Sequence, residues 1–98
     1  MPRSRRDDIE ICMEILELLT MSLKDITISD ILQHTRTKHI KAKQLLESME
    51  KSTWIESCIS TNSDLRYKDV FRITQNGEDV LSLYKEKLYK LFSFLSDT

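Results

Sequence analysis

One glycine, one proline and two cysteines are all that this 98-residue chain holds of the residues that most often punctuate or staple a fold. A single glycine leaves no Gly-rich loop to cradle a phosphate, and no Gly-, Ser- or Pro-rich stretch reads as a linker. Cys12 and Cys58 are too few for a disulfide scaffold. With His34 and His39 they form no C-x-x-C or closely spaced ligand pair, so neither a metal nor another cofactor is expected. No Ser/His/Asp or Cys/His arrangement points to a nucleophile, and the chain is not expected to be an enzyme. No apolar run reaches the roughly eighteen residues that span a bilayer, and no apolar leader opens the chain. The expectation is a cytoplasmic protein without a membrane partner.

What is present is charge, and it is unevenly placed. The formal net charge is −1, less basic than most nucleic-acid binders. Its distribution is more telling. Arg3, Arg5 and Arg6 precede the first helical pattern, and Arg36, Lys38, Lys41 and Lys43 form a second basic group with no acid among them. Asp7, Asp8, Glu10, Glu14 and Glu17 load the first helix, where the early ones complement its dipole.

The chain has room for one small core, and residues 1–98 read as a single α+β, mainly helical domain. A first helix is predicted from about Asp7 to Met21, capped by Ser4 with Asp7 reaching back, turning Ile9, Cys12, Met13, Leu16 and Leu19 inward. Residues 1–6 form a basic arm, either a disordered terminus or a minor-groove contact. Ile26-Thr27-Ile28 reads as a short strand, with Thr27 or Ser29 capping the helix that carries Ile31 and Leu32.

After a polar turn at Gln33-His34-Thr35-Arg36-Thr37, Ala42, Leu45, Leu46 and Met49 recur at helical spacing. The other side of that helix is polar: Lys41, Lys43, Gln44, Glu47 and Ser48 point away, with His39 and Ile40 at its exposed start. Ile40 is either an ordinary surface residue or a contact for a thymine methyl group. Two strands follow, 54–60 and 67–73, rich in β-branched and aromatic residues, around a polar loop at Thr61-Asn62-Ser63-Asp64. Helix, turn, basic helix and two-stranded wing make a winged helix-turn-helix, with residues 29–51 as the helix-turn-helix and 54–73 as the wing.

Such a fold presents one helix to the major groove of duplex DNA. Gln44 then suits an adenine edge, Lys43 a guanine or a phosphate, and Arg36, Lys38 and Lys41 mainly phosphates, with His39 and Ile40 beside them. Arg66 and Lys68 on the wing reach a phosphate or a minor groove, or are solvated loop charges.

Thr74 can cap a last helix over residues 75–95, in which Leu81, Tyr84, Leu88, Leu91 and Leu95 fall at heptad spacing. The seam joins two copies or docks on its own domain. Val80, Leu83, Phe92 and Phe94 add apolar surface that favours the dimer. Cys12 is a packed thiol, or a disulfide to its symmetry mate if the first helix joins that interface.

Two stretches carry a family resemblance. Ala42-Lys43-Gln44-Leu45-Leu46-Glu47-Ser48-Met49-Glu50-Lys51 with Trp54-Ile55-Glu56, and Phe71-Arg72-Ile73-Thr74-Gln75-Asn76-Gly77, are similar to the small winged-helix regulators of archaea and crenarchaeal viruses. The resemblance spans about Asp8 to Leu95. It implies a homodimer joined through the C-terminal helix, often with help from the first, with two recognition helices in successive major grooves. In a virus the compartment would be the host cytoplasm. One departure is plain: the glycine usual after the recognition helix is replaced by Ser52-Thr53, and a β-branched residue is poor at positive φ. The expected function is a homodimeric, sequence-specific double-stranded DNA-binding transcription regulator. A winged-helix module that binds protein alone is the alternative, and the near-neutral charge keeps it open.

Overall fold

The computed structural model describes residues 7–59 and 69–96, with side chains through Lys90. Four helices and one hairpin follow in the order α1 (Asp8–Met21), α2 (Ile28–Thr35), α3 (His39–Lys51), β1 (Ile55–Ile59), β2 (Asp69–Ile73) and α4 (Gln75–Ser96). The basic arm at 1–6 and the wing tip at 60–68 lie outside the described residues. Among the described residues no helix is long and apolar enough to cross a membrane.

α1 is the axis of the core and meets all three other helices and β2. This explains why its buried side is broader than one stripe. Ile11 and Ile15 join Cys12, Met13, Leu16 and Leu19 in the interior, and Ile15 and Leu16 have no exposed surface. Ile9, expected inside, is instead 60% exposed. It sits in the first turn, off the side on which the neighbouring elements converge. The N-cap also differs from expectation. Asp7 itself caps α1, its Oδ1 accepting from the Glu10 N–H at 2.9 Å, because a carboxylate there meets both an orphan donor and the positive end of the dipole.

The expected third strand shrinks to one bridge, between Ile26 and Phe71. The reason is a capping box. Thr27 Oγ1 accepts from the Asp30 N–H, while Asp30 Oδ2 accepts from the Thr27 N–H at 3.0 Å. With its N–H committed to the cap, Thr27 has no donor for a ladder, and Ile28 is already helical. At the other end α2 runs through Gln33, His34 and Thr35, so the turn is shorter than the sequence suggests. Thr35 is fully buried, its hydroxyl donating to the Ile31 carbonyl at 2.8 Å, and Arg36 ends the helix with a left-handed backbone at φ 56°.

Ala42, Leu45, Leu46 and Met49 are all buried, as the spacing predicts. α3 then ends in a Schellman motif: the Thr53 N–H donates to the Glu50 carbonyl and the Trp54 N–H to the Met49 carbonyl at 2.9 Å. Thr53 occupies the left-handed position at φ 64°, the place where the sequence lacks its glycine. The hairpin is antiparallel, with Ile55 opposite Ile73 and Cys58 opposite Val70, which puts Ile55 and Val70 on opposite faces of the ribbon; both are buried, and Ile55 joins the main core. Thr74 caps α4, its Oγ1 accepting from the Gly77 N–H at 3.1 Å.

Candidate nucleic-acid interface

The buried stripe fixes which side of α3 meets solvent. Arg36, Lys38, His39, Ile40, Lys41, Lys43 and Gln44 are all exposed, and they lie along the α2–α3 turn and the outward side of α3. The arrangement is a ridge of donors and cations held by a rigid apolar back. Ile40 is 74% exposed, an aliphatic residue on an otherwise polar ridge.

The start of α3 differs from the starts of α1 and α2. Its N-cap position is Lys38, which makes no side-chain cap, and its first turn has no acid. Lys38, His39 and Lys41, which flank the first turn, are all exposed. A helix N-terminus with no capping side chain, flanked by lysines, has the polarity that phosphate oxygens require.

One acid does reach this ridge, and no local sequence pattern announces it. Asp8 Oδ1, in the first turn of α1, lies 2.8 Å from Lys41 Nζ. Just behind, Cys12 is a free, buried thiol. Burial first, then the charge of Asp8, raises its pKa from 9.0 to about 11 against the opposing pull of Lys41. Arg66 and Lys68, expected on the wing, lie outside the described residues.

The heptad seam of α4 divides. Leu81 is 6% exposed and belongs to the core of its own chain, against which Tyr84 and Val80 are half-buried. Further along, Leu83 and Tyr89 are exposed, and Leu88 is at 38%. Leu91 and Leu95 lie on the same helix with side chains outside the described residues. Proximal α4 is thus an internal element, while its distal part carries apolar residues that its own domain leaves uncovered.

No family model matches the chain, and no curated protein matches it. Solved structures do. MepR of Staphylococcus aureus, a transcription regulator of the multidrug efflux pump MepA, superposes over 89% of this chain with a TM-score of 0.78 at 14% identity. A mutant of S. aureus MepR bound to an oligodeoxyribonucleotide superposes over 90% of this chain and 63% of its own, with a TM-score of 0.75 at 16% identity. A PadR family transcription regulator from Clostridium difficile gives 0.71 at 21% identity, over 89% of this chain and 95% of its own. The chain spans only 62% of the MepR chain. At these identities the likeness establishes the winged-helix fold, in bacterial proteins of the MarR and PadR type.

Proposed function

We propose that this protein is a homodimeric, sequence-specific double-stranded DNA-binding transcription regulator that places α3 in the major groove. One observation carries the reading: α3 is anchored by four buried residues and presents outward a basic ridge around an uncapped N-terminus. Arg36, Lys38 and Lys41 contact phosphates, Lys43 a guanine or a phosphate, and Gln44 an adenine edge. Arg66 and Lys68 carry the wing to the backbone or minor groove. MepR supports the assignment, since a relative by fold is a transcription regulator and one variant binds an oligodeoxyribonucleotide. The protein acts in the cytoplasm, as a regulator of the kind found in archaea and their viruses, to which residues 42–51, 54–56 and 71–77 are similar.

Self-association falls to the distal part of α4. Leu81 and Tyr84 fix the helix to its own domain, and Leu88, Leu91 and Leu95 continue the heptad beyond it. A second copy seated there buries apolar surface on both partners and sets two α3 helices on one duplex.

Fluorescence anisotropy on a duplex selected from a random pool, against its scrambled counterpart at several salt concentrations, tests the reading. Gln44→Ala should cost about 1–3 kcal/mol on the selected site and relax its preference, whereas Lys41→Ala should weaken all duplexes alike and flatten the salt slope by less than about one. Absence of binding below about 100 μM at low salt would favour the protein-interaction module, whose partner need not release condensed counterions.

A further inference from the structure

Ile40 and Glu47 are the two residues of the α3 ridge that a phosphate-binding surface does not explain. At about 100° per residue, Ile40, Lys43, Gln44 and Glu47 share one side of the helix, opposite Ala42, Leu45, Leu46 and Met49. Both are exposed, Ile40 at 74%. Glu47 has no ion-pair or hydrogen-bond partner among the described residues, although Lys43 and Lys51 stand at i−4 and i+4. An uncommitted carboxylate beside a polyanion is repelled, unless it meets a hydrogen-bond donor. In the major groove the donors are the exocyclic amines of cytosine and adenine, and the one apolar feature is the thymine methyl group.

We propose that Glu47 and Ile40 determine sequence specificity: Glu47 accepts a hydrogen bond from a cytosine N4 amine, and Ile40 packs on a thymine 5-methyl. The assignment rests on α3 being the groove-facing helix and adds to it which bases that helix selects. Glu47 also works by exclusion. Thymine O4 and guanine O6 are acceptors, so either base opposite the carboxylate sets lone pair against lone pair. Ile40 and Glu47 are two turns apart, about 10 Å along the axis, close to three base steps of about 3.4 Å. The half-site should therefore hold a thymine and a cytosine about three positions apart, with the Gln44 adenine between them.

Selection from a random duplex pool, followed by anisotropy on the winning site, tests both contacts. Replacing the thymine by deoxyuridine should weaken wild type about three- to tenfold and leave Ile40→Ala unaffected, since the methyl has lost its partner. Exchanging the C·G pair for T·A should weaken wild type about tenfold or more. In Glu47→Ala that ratio should collapse towards one while binding to scrambled DNA tightens, because a negative charge has left the interface. Glu47→Gln keeps an acceptor oxygen and should restore part of the cytosine preference. Both side chains are exposed, so all three variants should melt within a few degrees of wild type. Equal deoxyuridine penalties in wild type and Ile40→Ala, or an unchanged cytosine ratio in Glu47→Ala, would overturn the assignment while leaving DNA binding intact. A wild type that binds no duplex would overturn both readings together.

Discussion

Lys41 on α3 and Asp8 on α1 form an ion pair of 2.8 Å at the start of the outward ridge, so a carboxylate of the chain already occupies a cation assigned to phosphate. Both side chains are about half exposed, at 45% and 55%. The pair is therefore weak and breakable. In the proposed complex a phosphate oxygen takes the place of Asp8 at Lys41, one anion exchanged for another.

Asp8→Asn should then tighten binding to any duplex several-fold at low salt and steepen the salt slope by up to about one, as Lys41 becomes available for a phosphate. Anisotropy across a salt series reads both effects. In a Lys41→Ala background the Asp8→Asn gain should shrink, since the competed cation is gone. Weaker binding by Asp8→Asn alone would mean that Asp8 aims Lys41 rather than competes with DNA.

The corner after α3 gives a stability prediction with two signs. Thr53 sits at φ 64°, where an L-residue costs about 1–2 kcal/mol, and its hydroxyl accepts from Asn76 Nδ2 at 2.6 Å. Thr53→Ala and Thr53→Gly both lose that bond, but only glycine relieves the backbone. Thr53→Gly should be the more stable of the two by about 1 kcal/mol in urea unfolding. Equal stabilities would mean the corner is not strained.

Gly77, the chain's only glycine, is needed for space and not for its dihedral freedom. A Cβ there would run into the Trp54 carbonyl oxygen, a backbone atom that also accepts from the Thr74 N–H at 3.0 Å, and would come within 2.8 Å of Ile73 Cγ1. Gly77→Ala should destabilise by about 3 kcal/mol or more, because α4 must move off the α3–β1 corner. A thermal melt checks it, and a change under about 1 kcal/mol would refute the close approach.

Cys12 predicts an alkaline limb. Its pKa is about 11 in the folded chain against 9.0 as the ordinary value. The contribution is intact below pH 9.0 and is lost as pH rises through about 11, because the unfolded chain gives up the proton first. Wild type should lose on the order of 2 kcal/mol over that window, a loss smaller in Cys12→Ser. Near neutral pH the thiol should resist alkylation until the chain unfolds. Non-reducing gels read the symmetry-mate disulfide: a dimer band present in wild type and absent in Cys12→Ser would mean that burial does not protect the thiol.

Leu88 separates the two halves of α4. Leu88→Asp should convert a dimer to a monomer by light scattering while leaving the melting curve of the domain nearly intact, since the residue lies beyond the core that holds Leu81. A wild type already monomeric at tens of micromolar would remove the dimer.

The sequence alone determined the order of the elements and the inward side of α3, because a 3.6-residue period at Ala42, Leu45, Leu46 and Met49 is local information. It also marked Thr53 as the odd residue at the corner, since a Schellman position is fixed by the helix that precedes it. Only tertiary structure decided the rest. The breadth of the buried side of α1, which includes Ile11 and Ile15 and leaves out Ile9, depends on four elements packing around that helix. The heptad in α4 has one period, yet its use changes along the helix, because where a stripe leaves its own domain is set by where that domain ends. The pairing of Asp8 with Lys41, like the contact of Gly77 with Trp54, joins segments remote in the chain; charge and size are written in the residues, but proximity is created by folding.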